Sequence, residues 1–210
     1  LAAGVAALRA ADPGFPISGR CVLQKLNFRA LPEIIRTARA IGLDRISFLA
    51  ADTSSTAFNR PEGWDESRAS EIALNREEVA EAEQVVATTT RELAAAFGSG
   101  YVAESPERLR ALIRHYAAVN GEGRFPVNRC NAPWVSAVVE ADGTVRPCFF
   151  HRALGNIHEA PLDEIVNSDA AVGFRRGLDV SSDPICRRCV CTLWLDPKRP
   201  MTPRRARPPR

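Results

Sequence analysis

Five of the six cysteines of this chain lie at or beyond position 130: Cys130, Cys148, Cys186, Cys189 and Cys191. Their spacing is C-x17-C, a long gap, then C-x2-C-x-C. Thiolates are soft ligands that suit zinc or iron–sulfur clusters. No basic stretch precedes an apolar run in the manner of a secretory leader, so bound metal is expected rather than a disulfide framework. In the C-x2-C pair, two intervening residues let both sulfurs converge on one metal or one cluster edge. An extended C-x-C points its side chains to opposite sides, so the expected ligands are Cys130, Cys148, Cys186 and Cys189, with Cys191 as the alternative. Ligand type alone leaves an iron–sulfur cluster and zinc both open.

Other reactive residues are sparse. Cys21 sits among apolar neighbours and reads as an ordinary buried cysteine. Of the three histidines, His115 reads as surface or core filler, while His151 follows Cys148 closely enough to hydrogen-bond a cluster. No Ser–His–Asp order, phosphate-binding glycine loop or carboxylate pair stands out. Asp52 and Glu62 could face a substrate, and Phe58, Arg60 and Trp64 lie in the same stretch.

The elements that must position these residues follow from apolar spacing and turn chemistry. Residues 1–12 have helical spacing and stop at Asp12-Pro13-Gly14. Ile17 to Leu26 reads as a strand, residues 32–40 as a helix closed by Gly42, and Ile46 to Leu49 as a second strand. Strand, short helix, strand is the sequence form of a parallel pair. Residues 51–74 read as a long loop of the kind that carries function. Asn75 with Glu78 forms a capping box that opens a helix to about Phe97, closed by Gly98. Ser105-Pro106 starts another, from Glu107 to about Ala118. After Gly121-Glu122-Gly123, the runs Val135–Glu140 and Thr144–Phe149 flank Asp142-Gly143, a strong hairpin signal. That hairpin puts Cys130 before its first strand and Cys148 at the end of its second. Short helices follow around Leu162–Val166 and Phe174, then the Cys186–Cys189 knuckle after Pro184.

With 45% hydrophobic and 25% charged residues, the composition is that of a soluble globular protein. No apolar run reaches the roughly 20 residues needed to span a bilayer. The net charge of +3 rests on Lys198, Arg199, Arg204, Arg205, Arg207 and Arg210; less those six, the body carries −3. Interleaved with five prolines, this tail is expected to be extended and disordered. It holds no aromatic residue for base stacking, so nucleic acid is not an expected partner.

The stretch Cys130-Asn131-Ala132-Pro133-Trp134, the turn and strand Glu140 to Cys148, Gly155-Asn156-Ile157 and Cys186-Arg187-Arg188-Cys189 resemble the auxiliary-cluster domain of radical S-adenosylmethionine enzymes. That domain is called SPASM in its two-cluster form and Twitch in its shorter one. Residues 130–148 fit the pattern C-x12-G-x4-C, and five cysteines rather than seven favour the single-cluster form. The resemblance implies one auxiliary [4Fe–4S] cluster. Upstream, Cys21 to Asn27, the helix around 32–40, Gly42-Leu43-Asp44 and Ile46–Leu49 resemble the later strands and helices of the family's partial β/α barrel. An asparagine commonly ends the corresponding strand there, which makes Asn27 a cofactor-binding candidate.

The implied fold class is α/β: the C-terminal part of a partial (β/α) barrel followed by a small hairpin-plus-helix cluster-binding domain. Its expected divisions are 1–100 (barrel), 101–123 (connecting helix and linker), 124–195 (SPASM/Twitch-like) and 196–210 (basic tail). No C-x3-C-x2-C loop occurs in the chain, so the expectation is the C-terminal portion of a longer oxidoreductase or maturase, inactive alone. The resemblance implies S-adenosylmethionine and a second [4Fe–4S] cluster for that parent. It also implies an electron donor such as flavodoxin or ferredoxin and a peptide or small-molecule substrate, while the lack of a leader-like stretch makes a reducing cytoplasm the expected setting. The rival reading is a zinc-binding structural module without chemistry.

Overall fold

A computed structural model of the chain describes residues 1–55, 57, 60 and 63–196. The basic residues from Lys198 onward, and Phe58 and Glu62, lie outside the described residues. The fold is mixed α/β and divides into two compact units. One comprises Leu1–Val127 with Pro184–Cys191; the other comprises Asn128–Asp183 with the segment from Thr192. No described helix is long and apolar enough to cross a membrane.

The first unit begins with helix α1 (Ala2–Ala11), which buries only Val5. Arg9 anchors it by donating to the Phe15 and Gly42 carbonyls at 2.6 and 3.0 Å and pairing with Asp44 at 2.7 Å. Strand β1 (Ser18–Leu23) and strand β2 (Arg45–Ala50) then pair in parallel, joined through helix α2 (Leu31–Ala40). This is the strand–helix–strand unit expected from the sequence. Gly42 holds φ +86°, a left-handed conformation that costs glycine nothing, and the chain reverses there into β2. Strand β1 ends at Leu23, earlier than the apolar run suggests, because the Asn27 side chain captures the backbone of a turn at residues 24–27.

A third parallel strand starts beside β2 and goes no further. Ile46 bridges Val102, with Ile46 N–H donating to the Tyr101 carbonyl at 2.9 Å and Ala103 N–H to Ile46 at 2.8 Å. Two residues on, the Glu104 carboxylate accepts the Phe48 N–H at 2.8 Å, so a side chain serves where the next strand residue would. Burial pushes the Glu104 carboxyl upward.

Residues 51–74, expected to be loop throughout, contain helix α3 (Glu66–Ile72). Asp65 caps it by accepting from Arg68 N–H at 2.8 Å, a local signal that the polar composition obscured. Helix α4 (Arg76–Glu92) opens on the full Asn75–Glu78 capping box. It ends five residues short of Phe97, breaking at Leu93 before helix α5 (Ala94–Gly98). The run Thr88-Thr89-Thr90 precedes the break, and Thr90 Oγ1 donates back to the Val86 carbonyl at 2.7 Å, which bends helices. Helix α6 (Pro106–Val119) starts at the Ser105 cap, as its sequence predicts. Its buried Leu109, Ile113 and Tyr116 join Leu23, Phe28, Ile35, Phe48, Leu74 and Val86 in one core.

Tyr116 ties this core to the sheet. Its hydroxyl donates to the Leu23 carbonyl and accepts the Ala51 N–H at 2.7 Å, bridging the carboxyl ends of β1 and β2. The short helix α10 (Pro184–Arg188) belongs to the same unit, where Val190 packs against the core.

In the second unit, helix α7 (Ala132–Val135) takes in Val135, where the sequence places the start of the first hairpin strand. Pro133 near its start is pre-organised for a helical turn, and local turn chemistry prevails. The hairpin itself forms around Gly143 (φ +84°), with strand β3 (Val138–Val139) antiparallel to strand β4 (Thr144–Arg146). A further strand absent from the sequence reading, β5 (Gly155–Asn156), pairs antiparallel on the other side of β4. Helices α8 (Leu162–Asn167) and α9 (Asp169–Gly177) cover the unit with buried Ile165 and Ala171.

Candidate metal centre

Each cysteine comes from a different local device. Cys130 stands two residues before α7, not directly before a strand as expected, and its Sγ accepts the Ala132 N–H at 3.5 Å. Cys148 lies two residues past the end of β4, close to its expected place. Cys186 and Cys189 form one helical turn, closed by Cys189 N–H donating to the Cys186 carbonyl at 3.2 Å. That i, i+3 spacing sets both side chains on one face. Cys191 donates its own N–H to Cys189 Sγ at 3.3 Å.

Among the expected ligands, Cys130 and Cys189 thus accept an amide proton from the residue two positions later. Such N–H···S bonds favour a sulfur carrying negative charge and tune the potential of a bound cluster. Arg187 and Arg188, between the paired cysteines, offset the charge two thiolates would bring. All six cysteines are partly exposed, so metal has access to each. Thiolates that accept amide protons are donors of the kind an iron–sulfur cluster takes. Cys21 differs: it lies in β1, burial pushes its thiol up, and no metal-ligating spacing surrounds it.

His151, three residues beyond Cys148, is 6% exposed. Its ring packs edge-on to Phe174 at 4.9 Å between centroids, and Nε2 lies 3.9 Å from the Asp183 carboxylate. Desolvation holds His151 below the usual histidine range, opposed by Asp183.

Among the described residues, Asn27 follows the carboxyl end of β1 and Asp52 that of β2, where open α/β sheets place ligands. Asn27 sits at the end of β1 with its amide engaged on both sides. Its oxygen accepts Gln24 N–H at 2.9 Å, and its nitrogen donates to the Val22 carbonyl at 2.9 Å. Beyond β2, Arg60 forks onto Asp52: it pairs with the carboxylate and donates to the Asp52 carbonyl at 2.8 Å. Ser55 donates to the same carboxylate, and the Arg60 guanidinium stands 4.7 Å from the centre of the Trp64 ring. His115 is core filler: 6% exposed, 5.2 Å from Phe125, with burial pulling it down to about 4 against an opposing pull from Asp52.

One arrangement escaped sequence reasoning. Asn131, next to Cys130, donates its N–H to the Leu193 carbonyl at 2.8 Å and its side-chain amide to the Leu195 carbonyl at 2.7 Å. Its Oδ1 accepts Leu195 N–H at 3.0 Å, and the Arg129 guanidinium lies 3.7 Å over the Trp194 ring. The partners are more than 60 positions apart, and no local signal announces them.

Residues 130–190 match the family model of the SPASM iron-sulfur cluster-binding domain. This part of the chain is therefore similar to a domain that binds an iron–sulfur cluster, and the match spans four of the five clustered cysteines. No curated protein and no solved structure matches the chain.

Proposed function

We propose that the chain is the C-terminal portion of a radical S-adenosylmethionine oxidoreductase or maturase. In this reading it carries an auxiliary [4Fe–4S] cluster that supports radical chemistry on a peptide or small metabolite. The observation that carries it is the SPASM match over residues 130–190, a span that contains Cys130, Cys148, Cys186 and Cys189. Cys130, Cys148, Cys186 and Cys189 hold the cluster, with Cys191 as alternate. Bound there, a fully thiolate-ligated cluster would supply a one-electron acceptor.

The chain's own residues do the rest. The Ala132 and Cys191 amides stabilise charge on the Cys130 and Cys189 sulfurs. The parallel β1–β2 pair, extended at Val102, supports the closing part of a partial β/α barrel. Asn27 at the end of β1 then faces S-adenosylmethionine, and Arg60, Asp52 and Trp64 belong to the substrate loop. The parent draws on flavodoxin or ferredoxin for electrons, carries a second [4Fe–4S] cluster and works in the cytoplasm.

Anaerobic reconstitution with iron and sulfide tests the reading. The expected product is brown, absorbs broadly at about 400 nm and holds roughly four irons per chain. A colourless protein with one tightly bound zinc would instead establish a structural module.

A further inference from the structure

We propose that Asn131 is a positioning residue for the cluster: it straps residues 193–195 to the Cys130 loop and so steadies the amide serving Cys130. The inference rests on the cluster reading above. Three hydrogen bonds of 2.7–3.0 Å join Asn131 to Leu193 and Leu195. An asparagine amide that both donates to and accepts from Leu195 copies a backbone ladder, so it locks one register of the strap. Arg129 over Trp194 grips the same segment from the other side of Cys130.

Covalent connectivity then carries the effect to sulfur. On one side of Asn131 is Cys130, whose Sγ receives the N–H of Ala132, the residue on the other side. Releasing the strap loosens the backbone at Ala132, the donor, without removing a ligand. Loss of that amide leaves the Cys130 sulfur less well solvated and the cluster easier to strip.

The test is release of iron from the anaerobically loaded full chain to bathophenanthroline, followed by absorbance, with potentiometry alongside. Asn131→Ala should load like the unaltered protein yet release iron on the order of tenfold faster, the scale of two lost side-chain hydrogen bonds. Its reduction potential should move to a more negative value. Leu195→Pro, which removes one donor from the exposed side of the strap, should show a few-fold increase. The double variant should release no faster than Asn131→Ala, because both changes break one contact. Equal release rates in a loaded protein, or effects that multiply, overturn the strap and leave the cluster reading standing. Failure of the unaltered chain to take up iron overturns both.

Discussion

The N–H of Cys191 donates to Sγ of Cys189 at 3.3 Å, so a backbone amide serves the Cys189 sulfur. Such a bond favours negative charge on a sulfur that ligates metal. Single Cys→Ser replacement should abolish or sharply lower iron content at Cys130, Cys148, Cys186 and Cys189. At Cys191 the amide survives replacement, so that variant and Cys21→Ser should retain nearly full iron. Iron and sulfide assays on the six variants check this; loss at Cys191 with retention at Cys189 reverses the assignment.

Gly143 is the turn residue that makes the hairpin possible. Its φ is +84°, and an added Cβ would lie 2.6 Å from Asn156 Oδ1 and 2.7 Å from the His158 ring. Gly143→Ala should cost about 1–3 kcal/mol through strain and the displaced β5. Thermal unfolding of the apoprotein should show an earlier transition, and limited proteolysis should cut first near the hairpin. An unchanged melting curve would show that the turn tolerates a side chain.

His115 predicts a pH dependence with a definite sign. Burial pulls it from 6.5 to about 4 in the folded chain, so the unfolded chain binds more protons between those values. Stability from this residue is fully present above about pH 6.5 and falls as pH drops through the window to about 4, on the order of 3 kcal/mol. Urea denaturation across pH 4–7 measures it. His115→Phe should flatten that slope, and an equally steep slope in the variant would assign the dependence to other groups.

Much of the arrangement was legible because it is local. The Asn75–Glu78 box, the Ser105 cap, the Asp142-Gly143 turn and the Gly42 reversal each depend on atoms a few positions apart, and each forms as its residues predict. The misreadings have local causes too, once two local preferences compete. Val135 favours strand but follows Pro133 into a helical turn, and the threonine run before Leu93 breaks a pattern that apolar spacing continues.

The sequence alone establishes that the clustered side chains are soft donors, and the wider motif from Cys130 to Cys189 carries the likeness to the SPASM domain that residues 130–190 match. Tertiary packing alone decided that Asn131 meets Leu193 and Leu195, and that Tyr116 bridges the Leu23 carbonyl and the Ala51 amide. Ligand type is a property of each residue alone. A hydrogen bond between distant segments exists only after packing has brought their backbones together, and nothing in either segment's own composition specifies the partner it will meet.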